Sequence, residues 1–197
     1  MNKLYAHFRH RSRGFTVVEL VIVIIVIAIL AIIILTAYNG AQTRTNNSRT
    51  LTGIQQYYTS IKLYYAKNGG KYPPVPNEGT AQVTMTCLGT GYPGGTCGTI
   101  TGTTVNESTS FMSTLRQGSG TNIGGVVNDQ AGSVGSESFI GAAYGIDTTT
   151  SAHSPTGRAR MIEWFLAGKN QDCKIPQAWA YNTAHNNTAC ELDLEPY

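Results

Sequence analysis

Arg11-Ser12-Arg13-Gly14-Phe15-Thr16-Val17-Val18-Glu19-Leu20 leads into an apolar run that ends at Leu35. Leu20 to Leu35 holds no polar residue, and Phe15 to Ala37 holds only Thr16, Glu19 and Thr36. These 23 residues exceed the roughly 20 that a helix rising about 1.5 Å per residue needs to cross a bilayer. Their Ile and Val content lowers helix propensity in water. In lipid the backbone must satisfy its own hydrogen bonds, so a helix is expected there. Lys3, Arg9, Arg11 and Arg13 precede the run and predict an amino end facing the cytoplasm.

Glu19 breaks the apolar pattern. A lone carboxylate in a membrane segment costs on the order of 3 kcal/mol, less near the interface. Either it rests in the headgroup zone without a role, or it has a cationic partner. Cleavage after Gly14 supplies one, because the new amine of Phe15 is then the nearby positive charge. That pairing is open within one helix or between adjacent subunits, where an unpaired buried charge is penalised.

Gly14-Phe15-Thr16-Val17-Val18-Glu19-Leu20, with the apolar run behind it, closely resembles the prepilin signature of type IV pilins and related pseudopilins, over roughly residues 9–38. The resemblance implies that a prepilin peptidase cuts after Gly14 and methylates Phe15. It also implies that Glu19 is the glutamate needed for assembly and that the apolar helices form a filament core. Many relatives have a proline where Thr36 stands, and some a glycine where Ala28 stands; this chain has neither Gly nor Pro from Phe15 to Asn39. Local melting of the helix therefore does not carry over, and a hinge is expected at Asn39-Gly40.

The whole chain carries +3, from 14 Lys+Arg against 11 Asp+Glu. Four of the bases and none of the acids lie in residues 1–14, so the rest is −1. The basic balance belongs to the leader and is no argument for nucleic acid as a primary ligand. The expected layout is a cleaved leader over 1–14, a hydrophobic transmembrane and filament-core helix over 15–38, its amphipathic continuation over 39–68, and a globular β-rich head over 69–197.

Leu51, Ile54, Tyr58, Ile61 and Tyr65 recur at helical steps and predict a stripe laid against that head, ending at Asn68-Gly69-Gly70. From Phe15 to Ala66 the helix would be about 78 Å long. Lys71-Tyr72-Pro73-Pro74-Val75-Pro76 cannot continue it. From Gly79 to Gly157 the chain is rich in Gly, Ser and Thr and poor in charge, which predicts short strands and loops. A short helix is expected near Ser108 to Gln117, with Phe111, Met112 and Leu115 inward. Gly94 to Thr104 reads as an exposed loop. Phe139–Ile146 and Ala159–Leu166 read as strands. The sum is an α+β fold, a long helix packed on a small antiparallel sheet, which also resembles the pilin fold.

Cys87, Cys97, Cys173 and Cys190 allow three disulfide connectivities. Short loops favour Cys87–Cys97 and Cys173–Cys190, and the second resembles the carboxy-terminal disulfide loop of many pilins. A zinc site would need His185 to join and finds no CxxC pair. His153 and His185 read as exposed loop residues, and nothing beside them resembles a nucleophile elbow or an HExxH helix. Asp129, Asp147 and Asp172 lack calcium-loop spacing. The sequons at Asn46, Asn106 and Asn186 are expected by chance in so Asn- and Thr-rich a chain. No catalytic residue, metal or cofactor is called for.

These readings point to a structural subunit of a type IV pilus, a single-pass cytoplasmic-membrane protein before assembly and a surface filament afterwards. Its implied partners are itself, prepilin peptidase, the pilus assembly platform and its motor ATPases, the membrane, and a host or surface receptor. Adhesion and twitching motility are the functions such a filament serves. A minor pilin or a pseudopilin of a type II secretion or DNA-uptake system shares every motif. A membrane-anchored binding module, served by Trp164, Trp179 and the tyrosines, is the reading from another class.

Overall fold

The structure is a computed structural model describing residues 14–76, 78, 83–100, 103–127, 131–134, 137–147, 159–182 and 186–194. The leader ahead of Gly14, Asp129, His153, His185 and the 148–157 connection lie outside the described residues. The chain divides into two compact units between Gln42 and Thr43. Helix α1 (Val17–Lys67) contributes to both. Asn39 and Gly40 are helical, and the division between the two units follows just after them. A single glycine costs only about 1 kcal/mol in a helix, which hydrogen-bonded turns on either side absorb.

From Thr43 onward α1 buries Asn47, Thr50, Ile54, Tyr57, Ser60 and Ile61. Steps of three and four place them on one face. The inward tyrosine is therefore Tyr57, whereas Leu51 and Tyr58 are only partly buried against the core. The expected stripe thus lies against the core, with Ile54 and Ile61 at its centre and Leu51 and Tyr58 at its edge, and Tyr57, Asn47, Thr50 and Ser60 extend the buried face. The helix stops as expected: Gly69 and Gly70 adopt φ of 65° and 74°, and the Gly70 N–H donates back to the Tyr65 carbonyl at 3.0 Å.

The strands, in chain order, are β1 (Val83–Cys87), β2 (Thr96–Ile100), β3 (Thr103–Asn106), β4 (Ala131–Val134), β5 (Glu137–Ile140), β6 (Ala142–Asp147), β7 (Ala159–Ala167), β8 (Trp179–Asn182) and β9 (Asn187–Asp193). They form two antiparallel sheets, ordered β1-β6-β7-β9-β8 and β3-β2-β5-β4. The architecture is α+β, an apolar amino-terminal helix followed by helix and antiparallel sheet, consistent with a pilin fold.

Two expectations need correction. Phe139–Ile146 is not one strand: Gly141, at φ 88°, splits it into β5 and β6, which belong to different sheets. Gly94–Thr104 is not a loop but carries β2 and the start of β3, a hairpin whose Cys97 is fully buried. In the first place a sequence read as one strand hid a change of sheet.

β7 is central, and Met161 to Leu166 are all buried. Ile162, Trp164 and Leu166 pack with Ile54, Tyr57 and Ile61 of α1, whereas Phe165 joins Cys87, Cys97, Val105, Ala143 and Ala189 between the sheets. A strand covered on both faces does not alternate polar and apolar residues. Cys87 on β1 is bonded to Cys97 on β2, tying one sheet to the other, and Cys173 is bonded to Cys190 on β9. Helix α2 (Thr109–Ser119) is capped by the Ser108 hydroxyl, which accepts the Phe111 N–H at 3.1 Å, and buries Phe111, Met112 and Leu115. It lies against α1, where a side chain at Gly118 would run into the Tyr64 ring.

Two polar clasps register these layers. The Asn47 amide accepts the Ala167 N–H at 2.9 Å and donates to the Ala167 carbonyl at 2.9 Å. The β6 ladder stops at Trp164↔Ala142, so Asn47 pairs with backbone groups beyond the last β6 partner. The prolines after α1 are held by the Arg160 guanidinium and the Tyr144 hydroxyl. Both donate to the Pro73 carbonyl, at 3.1 and 2.8 Å, and Arg160 also pairs with Glu78 at 2.7 Å.

Asn47→Ala leaves the Ala167 N–H and carbonyl without these partners and should lower the unfolding free energy by roughly 2 kcal/mol, read by denaturant titration of the full chain in detergent. Burial pushes the Tyr57, Tyr92 and Tyr144 hydroxyls above the ordinary tyrosine value, and each donates to a backbone carbonyl. The folded chain holds protons that an unfolded tyrosine releases near pH 10, so stability is full below about pH 10 and falls as pH rises above it. The Tm should therefore hold up to about pH 10 and fall above it, and the fall should be smaller in Tyr144→Phe.

Candidate functional site

Gly14, Phe15 and Thr16 are not helical, and α1 begins immediately after them at Val17. The Gly14–Phe15 peptide bond thus lies outside the helix. Phe15 is 85% exposed, and among the described residues nothing beyond the chain neighbours of Gly14 lies within 4 Å of where its side chain would start.

Helix entry is set by Thr16 and Glu19. The Glu19 carboxylate accepts the Thr16 N–H and the Thr16 hydroxyl, both at 2.8 Å, and the Glu19 N–H donates back to the Thr16 hydroxyl oxygen at 3.2 Å. This is a reciprocal capping box: each residue satisfies a donor that the first turn leaves without a helical acceptor. It also places a carboxylate at the positive end of the helix dipole. The pattern Thr16-x-x-Glu19 carries this signal in the sequence, and reading Glu19 only as a membrane anomaly overlooks it.

Behind the cap, Val17–Ile34 has a mean hydropathy of 3.6 and is long and apolar enough to cross a membrane. Its large apolar side chains are exposed, Ile32 and Ile34 by 65% and 64%. Such a surface needs lipid or other helices to cover it. The segment offers one acidic group, a free backbone stretch ahead of it and an apolar cylinder. That suits processing and packing rather than chemistry on a small substrate.

The head shows where the other candidates fall. The four cysteines form two disulfides, Cys87–Cys97 and Cys173–Cys190. Around the second, Asn170, Lys174, Gln177 and Asn186 adopt positive φ between 56° and 70°. Lys174 donates its side-chain and backbone N–H groups to Asp172, which holds that carboxyl below the usual range. Trp164 is fully buried, as are most of Tyr57, Tyr92 and Tyr144, so these rings are core and do not offer a ligand platform. No group of three or more His, Cys, Asp or Glu that could hold a metal occurs among the described residues.

Residues 9–35 match the family model described as the prokaryotic N-terminal methylation motif. The chain carries the type IV pilin and pseudopilin signature. In general terms that signature implies processing by prepilin peptidase, membrane anchoring through the apolar helix before assembly, and polymerisation. The match spans the capping box, the exposed peptide bond and the whole candidate membrane span. No curated protein and no solved structure matches the chain.

Thr16→Val removes the acceptor of the Glu19 N–H and should speed amide exchange at Glu19 by about tenfold, the size of a lost cap of roughly 1.4 kcal/mol. Thr16→Ser keeps a hydroxyl and should exchange at the wild-type rate. Equal rates in wild type and Thr16→Val, measured by hydrogen exchange in micelles, would remove the cap from the account.

Proposed function

We propose that the chain is a structural subunit of a type IV pilus. Residues 1–14 are a leader that prepilin peptidase removes after Gly14, and Phe15 is then methylated. Residues 15–38 first anchor the subunit in the membrane and then form filament core, with 39–68 as its continuation and 69–197 as the exposed head. The observation that carries this reading is the exposed, capped apolar helix lying within the matched methylation motif.

Loss of the leader removes four positive charges from the cytoplasmic headgroups. The shortened end can then leave the bilayer and bury among neighbouring helices. Glu19 meets the Phe15 amine of a neighbour, and that pair fixes the register of the polymer. An uncompensated Glu19 in the filament core would be penalised by several kcal/mol. The filament serves adhesion or twitching motility, driven by an assembly platform and motor ATPases. A minor pilin or pseudopilin of a secretion or DNA-uptake system uses the same segment and differs in abundance. A lone anchored binding module is less well supported, because Trp164 and three tyrosines are committed to the core.

Intact mass spectrometry on filaments sheared from native cells should find a chain that starts at methylated Phe15 and carries both disulfides. Its share of the filament separates major from minor subunit. Glu19→Ala should insert in the membrane normally and form few or no filaments. A full-length chain with Met1 to Gly14 attached and no filaments, or full piliation by Glu19→Ala, counts against the reading.

A further inference from the structure

The carboxyl half of α1 carries aromatic surface that the core does not use up. Tyr58, Lys62 and Tyr65 follow at steps of four and three and so share one face. Lys62 is exposed, and its ammonium lies 6.0 and 5.9 Å from the ring centres of Tyr58 and Tyr65. The Tyr65 ring in turn lies 4.5 Å, centre to centre, from that of Tyr72 and is tilted 37° to it. These contacts join four side chains into one patch.

Tyr58 and Tyr72 rest partly on the core, and the Tyr72 hydroxyl donates to the Leu194 carbonyl. Tyr65 is half-buried and belongs to neither core cluster. Among the described residues the hydroxyls of Tyr58 and Tyr65 have no hydrogen-bond partner. Gly70 keeps the rim of the Tyr65 ring open, since a side chain there would begin 3.5 Å from that hydroxyl. No acid occurs from residue 43 to 76, and Lys62 forms no ion pair among the described residues.

Tyrosine offers a rigid apolar ring with a polar rim, at low cost in conformational entropy. A sugar ring offers the complement, a face of C–H groups bordered by hydroxyls. A carboxylate on that sugar would meet the ammonium, whose place beside two rings is already set. Nucleic acid fits less well, because its phosphate at every nucleotide calls for a run of cations along the strand. Among the described residues Lys62 alone is placed against these rings.

We propose that Tyr58, Lys62, Tyr65 and Tyr72 form a binding site for an acidic polysaccharide. Lys62 meets a uronate carboxylate, and the tyrosines carry the sugar faces and hydroxyls. The inference goes beyond the filament reading and stands apart from it, since the patch belongs to one chain and needs no second copy.

The test titrates the full chain in detergent micelles with polygalacturonate, with uncharged dextran and with an oligo(dT) strand, all at the same salt. Polygalacturonate should bind more tightly than either of the others. Lys62→Gln and Tyr65→Ala should each weaken it by about tenfold, as loss of a central anchor does. Lys62→Arg keeps the charge and should bind within about twofold of wild type. Lys62→Gln alters an exposed side chain and should keep the wild-type Tm, so its result holds even where Tyr65→Ala destabilises the head. Unchanged affinity in Lys62→Gln or in Tyr65→Ala overturns the site. So does tighter binding of dextran or oligo(dT), or no binding of polygalacturonate by the wild-type chain. Each of these results leaves the pilus reading untouched, because the mass of sheared filaments decides that separately.

Discussion

An apolar helix surface that the chain leaves exposed is the constraint on which the rest depends. Fully burying one Val, Leu or Ile side chain is worth about 1.5–3 kcal/mol, so the exposed side chains of Val17 to Ile34 represent a cost in water on the order of tens of kcal/mol. No capping or charge arrangement offsets a term of that size. The segment must lie in lipid or against other helices. A subunit that moves from membrane to filament exchanges one apolar environment for another. Because lipid is as apolar as packed side chains, polar contacts and packing have to decide between the two.

Glu19 illustrates that competition. Within its own chain it accepts two hydrogen bonds from Thr16, which lessens the penalty of placing a carboxylate near an apolar span. The same cap holds the carboxylate at the helix entry, beside the residue that would carry the new amine. An interchain pair would have to compete with the intrachain cap, worth roughly 1 kcal/mol.

The head meets a different requirement, which is to keep a central strand buried on both faces. One face of β7 is covered by α1 and α2, the other by the β3-β2-β5-β4 sheet. Apolar packing is non-directional and would allow α1 to slide along the sheet. Asn47 on Ala167, and Arg160 with Tyr144 on Pro73, supply direction because each hydrogen bond exists in one register only. The Cys87–Cys97 bond performs the corresponding task between the sheets.

Local chemistry settled much of this molecule. A run of 23 residues with three polar members can only be a helix in lipid, the glycine pair after Asn68 can only stop one, and Ser108 ahead of Phe111, Met112 and Leu115 announces α2. The Thr16-x-x-Glu19 cap belongs with these, since its two partners are three residues apart. Tertiary structure decided what depends on distant partners. Tyr57 joins Ile54 and Ile61 on the buried face with Tyr58 at its edge, and Asn47 is buried because it finds Ala167, 120 residues away. Gly141 divides two strands because they enter different sheets, and Gly94 to Thr104 forms a hairpin because a second sheet is there to receive it. Periodicity reports which side chains avoid water on average; it cannot report which polar group will be satisfied by a backbone that only the folded chain brings near.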